Sequence, residues 1–354
     1  MKVALVLAGS IWYSPFVRIY TRILDKMDVD YSLISWNREG DDKQEGFQYN
    51  EICANGHGSA GFYEYKGYVN FIKKTILENN FEKIIVFGPQ ITCLLSTFLL
   101  RRFRGRYMID YRDLSFEQKS GFKQLYWLMT KFSRVNVISS PGFKRCLPNR
   151  QYYISHNFDV DKVKQVIKED VGSGFNNKPI IDVLTIGGIR DYSSNIEVVK
   201  ALGNKPGFKM RFVGKGAASQ QIEKYCNDNC IDNIEFTGYY KKDAEPAYIK
   251  DSTFLNIFYP RIVTHDTAMS NRFYNSLIYK RPMIVTKNTT QGNYAEKYGV
   301  GIALENCRTI IEETELFLKK DYQSYARRCN ELLSGFLKDQ DEFEKAVKNF
   351  IMNN

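Results

Sequence analysis

Short apolar runs rich in β-branched residues alternate along the chain with longer segments whose apolar residues recur at helical spacing. The short runs predict buried strands, and the longer segments predict helices. Because strands that are apolar on both faces are typical of parallel sheets covered by helices, this alternation predicts an α/β protein. In the first half, strands are predicted at Val3–Ala8, Tyr31–Trp36, Lys83–Phe87, Tyr107–Asp110 and Val135–Ser139, and helices at Pro15–Met27, Tyr68–Asn79, Thr92–Phe103 and Lys123–Phe132.

The alternation begins again after the polar stretch Asp159–Lys178. A second set of strand–helix units predicts a second domain with its own parallel sheet. Its strands are predicted at Ile180–Ile186, Lys209–Val213, Ile234–Thr237, Phe254–Phe258, Met283–Val285 and Gly301–Leu304.

The tail Tyr322–Met352 predicts two further helices. The expected organisation is an N-terminal domain over 1–160, a linker over 161–178, a C-terminal domain over 179–335, and a C-terminal helix over 336–354 that packs back on the N-terminal domain.

The candidate chemistry centres on the turn after residue 186. A buried strand ends there in Gly187 and Gly188, Arg190 follows, and a helix is expected to open on a capping box from Ser194 to Glu197. Glycine backbone, a guanidinium and free helix N–H groups around one point are the groups with which proteins hold a nucleotide diphosphate. A plain strand–helix turn is the alternative interpretation.

Other turns follow the predicted strands in the same way. Since ligands of open α/β sheets bind beyond the carboxyl ends of the strands, these turns are where functional residues are expected. They are Gly9–Ser10, Gly88–Pro89, Asp110–Asp113, Gly187–Arg190 and Gly214–Gly216.

Several segments in this order resemble glycosyltransferase family 4. The resemblance implies the GT-B fold: two Rossmann-like doubly wound parallel-sheet domains facing a central cleft. It also implies metal-independent sugar transfer from a nucleotide-sugar donor, held by the C-terminal domain, to an acceptor held by the N-terminal domain. The matching segments are Asp110–Asp113, Ser139–Lys144, His156–Asp159, Gly187–Arg190, Phe212–Gly216, Ile234–Gly238, Ser270–Leu277 and Lys280–Val285.

Three residues are expected to act in the chemistry. Arg190 and Arg272 are placed to neutralise the departing diphosphate, with Arg272 where the family commonly has lysine. Asp113 is expected to orient or deprotonate the acceptor hydroxyl; an internally salt-bridged Asp110–Arg112–Asp113 turn is the alternative. The residues expected to bind the donor are Gly9, Ser10, Gly187, Gly188, Arg190, Gly214, Arg272 and Asn275.

The chain departs from the family at two positions where glutamates are common. Asn275 stands at the position that faces the nucleotide ribose, and Thr267 stands near the transferred sugar. Asn275 still hydrogen-bonds a diol but brings no charge, so a weaker anchor is expected.

Further candidates have two interpretations each. His265 and Asp266 would touch the transferred sugar or form a satisfied pair within a loop. Trp12, Tyr13 and Phe16 would stack on a sugar or lipid acceptor, although packing in the core is the expectation that we favour.

The formal net charge of +10 is consistent with nucleic acid, an anionic membrane or polyanionic small substrates as partners. We find no nucleic-acid-binding motif and expect no nucleic-acid partner. Arg101, Arg102, Arg104 and Arg106 follow the apolar run Ile91–Leu100, which indicates either contact with an anionic leaflet or a buried helix whose dipole the arginines balance.

The remaining composition narrows the class of protein. No apolar run reaches the roughly 20 residues of a membrane span. Seven dispersed cysteines suggest reduced thiols, and three histidines make a histidine-rich metal site improbable. The expected location is cytoplasmic, peripheral to the inner face of the plasma membrane.

The leading functional hypothesis is a glycosyltransferase that builds a bacterial surface polysaccharide of the capsule, exopolysaccharide or O-antigen type. It would use a UDP- or GDP-sugar and a lipid-linked saccharide acceptor, with no cofactor. A non-hydrolysing nucleotide-sugar epimerase and a catalytically degenerate nucleotide-sugar-binding protein are the alternatives.

Overall fold

The computed structural model describes residues 1–40, 45–53, 60–115, 118–169, 174–175 and 179–353. The chain divides into two compact units. The first comprises residues 1–156 and 339–354, and the second comprises residues 157–338.

Within its described residues, the first unit contains a single seven-stranded sheet. Its strands are β1 Lys2–Val6, β2 Asp30–Trp36, β3 Phe47–Tyr49, β4 Lys83–Phe87, β5 Tyr107–Tyr111, β6 Val135–Ile138 and β7 Tyr153–Ile154. Every neighbouring pair is parallel, in the spatial order β3-β2-β1-β4-β5-β6-β7. The five strands predicted from apolar runs are confirmed. Strands β3 and β7 escaped prediction because three and two residues are too short to give a period.

Helices cover this first sheet. They are α1 Val17–Lys26, α2 Phe62–Glu78, α3 Pro89–Leu94, α4 Ser96–Arg102 and α5 Phe122–Phe132. The single helix predicted over Thr92–Phe103 is wrong in its continuity. The backbone at Leu95 (φ −89°, ψ 2°) leaves helical values and separates α3 from α4.

The second unit has a six-stranded sheet within its described residues. Its strands are β8 Ile181–Ile186, β9 Phe208–Val213, β10 Ile234–Gly238, β11 Phe254–Ile257, β12 Met283–Thr286 and β13 Gly301–Leu304. They pair in parallel in the order β10-β9-β8-β11-β12-β13. All six predicted strands are confirmed. The helices are α6 Val160–Lys168, α7 Tyr192–Leu202, α8 Ser219–Asp228, α9 Glu245–Asp251, α10 Val263–Thr267, α11 Asn271–Ile278, α12 Thr290–Tyr298, α13 Ile310–Leu318 and α14 Tyr322–Met352.

The predicted linker begins with a helix. The carboxylate of Asp159 accepts the N–H groups of Asp161 and Lys162 and starts α6. Val163 and Val166 on α6 are buried in the core of the second unit. Most residues of the stretch are polar, but these two valines, at helical spacing, pack the helix against that core. Residues 170–173 and 176–178 of the predicted linker lie outside the described residues.

The tail is one continuous helix, so the prediction of two helices is wrong. The 31 residues of α14 run without a proline. Residues up to Lys338 belong to the second unit and residues from Asp339 to the first. Within the first unit, Phe343, Val347 and Phe350 are buried against the core that contains β1 and α1.

The carboxyl end of α14 is held by a buried lysine. Lys83 Nζ donates to the carbonyl oxygens of Phe350, Ile351 and Asn353 at 2.7, 2.9 and 2.7 Å. The last carbonyls of a helix have no intrahelical partner, and a cation at that end also balances the helix dipole.

Replacing this lysine is expected to destabilise the first unit. Lys83→Met leaves these carbonyls without their donor and should lower the free energy of unfolding by about 2 kcal/mol. Chemical denaturation followed by circular dichroism measures the loss. Lys345→Met, at an exposed position of α14, is the control, and an equal effect of the two substitutions would contradict this role.

The free energy of unfolding is expected to depend on pH through a buried histidine. His156 is fully buried and its Nε2 lies 3.0 Å from Asp339 Oδ2. Burial lowers the pKa of His156, although Asp339 partly opposes the shift. Below the ordinary histidine pKa of about 6.5, the unfolded chain binds a proton that the folded chain resists, so the free energy of unfolding should fall with falling pH. Urea denaturation at several pH values should show that His156→Gln flattens this dependence. An unchanged slope would refute the assignment.

Candidate functional site

Two strand–helix turns of the second unit meet backbone against backbone. Gly187 follows β8 and Gly214 follows β9, with φ of +98° and +128°. The Gly187 N–H donates to the carbonyl of Val213 at 2.9 Å. A Cβ atom added to Gly214 would lie 2.1 Å from the Gly187 carbonyl oxygen. Only glycine fits this backbone conformation and this close approach, so the sequence builds a narrow floor at the carboxyl edge of the sheet.

Both predicted phosphate-binding arginines lie against this floor. Arg272, in the first turn of α11, donates from Nε to the Ile186 carbonyl and from Nη2 to the Gly188 carbonyl at 2.9 Å. Arg190 is exposed, and a Cβ atom added to Gly188 would lie 3.2 Å from its Nε. The structure therefore brings the glycine pair and two guanidiniums together.

The predicted capping box is wrong. Helix α7 begins at Tyr192 with Asp191 as its N-cap residue, so Ser194 is already inside the helix. The Ser194 hydroxyl is buried without a hydrogen-bond partner among the described residues. Glu197 accepts the N–H of Cys307 instead, at 2.9 Å. Ser194 and Glu197 therefore both lie within α7, and their Ser-x-x-Glu spacing does not mark the start of the helix.

Asn275 is paired with a carboxylate that the sequence analysis missed. Its Nδ2 donates to Glu245 Oε1 at 2.8 Å. Glu245 is buried and also accepts from Tyr240 Oη at 2.7 Å and Lys242 Nζ at 2.5 Å. Burial, followed by Glu245, raises the pKa of Tyr240, so this hydroxyl remains a donor. A carboxyl oxygen of Glu245 therefore lies beside the asparagine. A glutamate at the first position of a helix after β10 was the available signal.

The two loop candidates of the second unit pair separately. The carboxylate of Asp266 accepts hydrogen bonds from Arg261 Nε at 2.8 Å and from Arg261 Nη2 at 3.0 Å. His265 Nε2 lies 3.9 Å from Asp191 Oδ2, and its ring lies 5.0 Å from that of Tyr259. The expected mutual His265–Asp266 pair is therefore wrong. His265 instead faces the residue that begins α7, next to the glycine turn.

Thr267 is buried, and its hydroxyl donates back to the Val263 carbonyl at 2.7 Å. This bond lies within α10, so Thr267 does not replace a carboxylate.

The first unit has a cavity of about 540 Å³ at the carboxyl edge of its sheet. Gln90 and Ser115 line it, and Gln90 Nε2 donates to Ser115 Oγ at 2.5 Å while Gln90 Oε1 accepts from Tyr65 Oη at 3.2 Å. The guanidinium of Arg38 lies 4.4 Å from the ring centroid of Trp36. The predicted site residues that line this cavity are Gly9, Ser10 and Asp113.

The acidic turn divides into a structural pair and an exposed carboxylate. Asp110 is fully buried and accepts Arg112 at 2.8 Å and Tyr20 Oη at 2.6 Å. Burial, followed by the charge of Asp110, raises the pKa of Tyr20. Asp113 is exposed at the edge of the cavity. Asp110 and Arg112 therefore form a salt bridge within this turn.

The expected core packing of the aromatic cluster after β1 is wrong for Trp12 and Tyr13 and confirmed for Phe16. Trp12 and Tyr13 are 69% and 68% exposed. Ser10 accepts the Trp12 N–H at 3.2 Å and starts a single 3-10 turn that carries both rings outward. Phe16 is half-buried against Phe87, with ring centroids 5.5 Å apart.

Comparison with known proteins gives matches to solved structures. No protein-family model matches the chain. No curated protein matches it either. Sucrose-phosphate synthase from Thermosynechococcus elongatus superposes with a TM-score of 0.71 at 11% identity, covering 100% of both chains. The lipopolysaccharide outer core galactosyltransferase WaaB superposes with a TM-score of 0.66 at 12% identity, covering 99% of both.

A third structure is that of HepE from Anabaena in complex with UDP and glucose. It has a TM-score of 0.65 at 10% identity and covers 98% of this chain and 99% of its own. These full-length superpositions show that the two-sheet α/β architecture described above is also that of glycosyltransferase structures. The chain has the GT-B fold. At these identities the likeness establishes the fold and no more.

Further properties of this GT-B chain bear on its chemistry. Among the described residues, no group of three or more His, Cys, Asp or Glu side chains is arranged to hold a metal ion. All seven cysteines are free thiols. None of the described helices combines the length and hydropathy needed to cross a bilayer.

Proposed function

We propose that this GT-B protein is a glycosyltransferase that moves a sugar from a UDP- or GDP-sugar to a lipid-linked saccharide. The observation that carries the proposal is the convergence of Arg190 and Arg272 on the Gly187–Gly188 turn. The structure of HepE with UDP and glucose supports a nucleotide-sugar donor. We further propose that it belongs to family 4 and acts in bacterial surface polysaccharide synthesis of capsule, exopolysaccharide or O-antigen type. The similarity to WaaB, a lipopolysaccharide outer core galactosyltransferase, is consistent with such a role.

The proposed chemistry follows from the charge that leaves. When the bond between sugar and diphosphate breaks, negative charge grows on the diphosphate, and preorganised donors stabilise it. Arg190 and Arg272 would supply guanidinium N–H groups, and Gly188 would supply its peptide N–H, while Gly187 shapes the turn. We propose that this arrangement takes the place of a metal ion.

The donor nucleotide would meet Asn275 at its ribose. Because the Asn275 amide donates to Glu245, its carbonyl oxygen is left to accept from a ribose hydroxyl. Gly214 would contribute to donor binding by letting the turn after β9 pack against Gly187 beneath the diphosphate.

The acceptor would enter the cavity of the first unit. Asp113 at its edge would take the proton of the attacking hydroxyl, and Gly9 and Ser10 would contact the substrate there. The reaction would take place in the cytoplasm at the inner face of the plasma membrane, with peripheral contact to anionic lipid.

A panel of UDP-, GDP-, ADP-, CMP- and dTDP-sugars in a thermal-shift assay tests the donor. A ligand that binds only the folded state raises the melting temperature, so one UDP- or GDP-sugar should stand out. Its transfer to a membrane-extracted saccharide acceptor then tests the reaction. The absence of any stabilising sugar nucleotide would refute the proposal.

Epimerisation is the second candidate. UDP-N-acetylglucosamine 2-epimerase from Rickettsia bellii superposes with a TM-score of 0.58 at 10% identity, covering 99% of this chain and 98% of its own. An epimerase converts the sugar nucleotide without an acceptor, so product formation in the absence of acceptor separates the two reactions.

A further inference from the structure

Helix α5 of the first unit carries apolar side chains on its outer face. Trp127 and Leu128 are 39% and 41% exposed. Tyr126 and Met129, on the opposite face, are buried. A helix that covers a sheet normally presents polar side chains to water, so apolar residues on both faces are unusual. An exposed apolar cluster of this kind is typical of an interaction surface.

Basic side chains surround these apolar ones. The Lys123 ammonium lies 5.3 Å from the Trp127 ring centroid, and Lys131 is exposed one turn beyond Trp127. The Arg104 guanidinium lies 4.1 Å from the ring centroid of Phe132, the last residue of α5, and so joins the arginine cluster after α4 to this helix. We call the set Lys123, Trp127, Leu128, Lys131 and Arg104 the α5 surface.

The charge of the whole protein is concentrated in the segment that contains this surface. Residues 83–158 have 13 lysines and arginines but 3 acidic residues, a net charge of +10 that equals that of the entire chain. Of these acidic residues, Asp110 is buried against Arg112. Residues 118–158 contain no aspartate or glutamate. The segment that includes α5 therefore provides its lysines with no neutralising carboxylate.

We propose that the α5 surface docks this protein on an anionic lipid bilayer. Trp127 and Leu128 would enter the interfacial layer, and the lysines would contact the headgroups. A bilayer offers both a negatively charged plane and an apolar layer beneath it, which matches this combination of side chains. Nucleic acid would satisfy the cations but would leave the aliphatic side chain of Leu128 in water.

The position of α5 connects this surface to the proposed function, on which its purpose rests. Helix α5 begins seven residues after Ser115, which lines the cavity of the first unit. Between them, Gln118 Nε2 donates to Tyr111 Oη at 3.3 Å and holds the connection to the end of β5. A saccharide whose lipid remains in the bilayer would therefore reach the cavity from the amino end of α5.

Vesicle co-sedimentation of the full chain tests this proposal. The protein should pellet with vesicles of phosphatidylcholine and phosphatidylglycerol and remain in solution with phosphatidylcholine alone. The Lys123→Glu, Lys131→Glu double variant should lower the partition coefficient by at least about tenfold at low salt. The Trp127→Ala, Leu128→Ala double variant should weaken binding at high salt as well, since apolar contacts are not screened.

A matched variant controls for net charge. Lys164 and Lys205 are exposed lysines of the second unit, and their double substitution by glutamate changes the net charge by the same amount. This control should bind vesicles as the parent does, with equal melting temperatures for all variants. Equal loss in both glutamate variants would overturn the proposal, and so would parent binding to heparin but not to vesicles.

The same experiment separates docking from catalysis. Vesicle binding needs neither donor nor acceptor. A protein that binds through the α5 surface but transfers no sugar would therefore refute the proposed function alone. A protein that transfers sugar to a water-soluble acceptor without binding vesicles would refute docking alone.

Discussion

Replacing Arg190 and Arg272 together by alanine is expected to lower kcat/KM for sugar transfer by at least about a hundredfold. Both guanidiniums lie against the Gly187–Gly188 turn, where the diphosphate would develop its charge. Removal of one such donor costs about 3 kcal/mol of transition-state stabilisation. Steady-state kinetics with the donor identified by thermal shift measures the effect, and calorimetric titration with UDP or GDP measures the loss of nucleotide affinity.

The single variants distinguish chemistry from folding. Arg272 also supports the backbone through the carbonyls of Ile186 and Gly188, so Arg272→Ala should lower both stability and activity. Arg190 is exposed, and Arg190→Ala should lower activity with the melting temperature unchanged. Arg308→Ala removes an exposed guanidinium elsewhere in the second unit and serves as the control. Unchanged nucleotide affinity in the double variant would remove these arginines from the site.

Gly214→Ala is expected to be among the most destabilising substitutions in the second unit. Its φ of +128° is strained for alanine, and the new Cβ would lie 2.1 Å from the Gly187 carbonyl oxygen. Strain and overpacking together should lower the free energy of unfolding by about 3 kcal/mol or more. Chemical denaturation measures the loss, and nucleotide affinity should fall with it because the turns after β8 and β9 must separate.

Gly207→Ala isolates the clash from the strain. Gly207 also has a positive φ, +79°, but a Cβ atom added there meets nothing within 4 Å. Gly207→Ala should therefore lower the free energy of unfolding only by the cost of the backbone conformation, about 1 kcal/mol. Equal losses at Gly207 and Gly214 would show that the two turns do not approach as closely as described.

Apart from the short strands β3 and β7, the described strands of both sheets were predictable, because burial on two faces leaves a continuous apolar run. Lys83–Phe87 and Gly301–Leu304 were predicted with the bounds that the structure gives them. The glycine turn was also predictable, since a glycine pair after a buried strand indicates close backbone approach. Segments in which polar residues dominate were harder. The segment that forms α6 was expected to be a linker because most of its residues are polar. The sequence alone did not show that its two valines would be buried.

One distant residue and two local turns account for the failures at the site. Nothing near Asn275 in the sequence indicates that Glu245, thirty positions earlier, accepts its amide. The Ser194–Glu197 spacing suggested a cap, but the start of α7 was set at Asp191 by the preceding turn. Trp12 and Tyr13 are large aromatic residues of the kind that is usually buried in a core. They are exposed because the turn that Ser10 starts carries them outward.

The sequence by itself determined the parallel α/β class, the two sets of strands and the glycine turn, because these depend on local periodicity and on backbone conformations that only glycine adopts. The tertiary structure alone decided that Arg272 reaches the turn after β8, that Glu245 supports Asn275, and that the apolar side chains of α5 face outward. Each of these depends on which surfaces remain after the helices have packed on the sheet, and local sequence patterns do not contain that information.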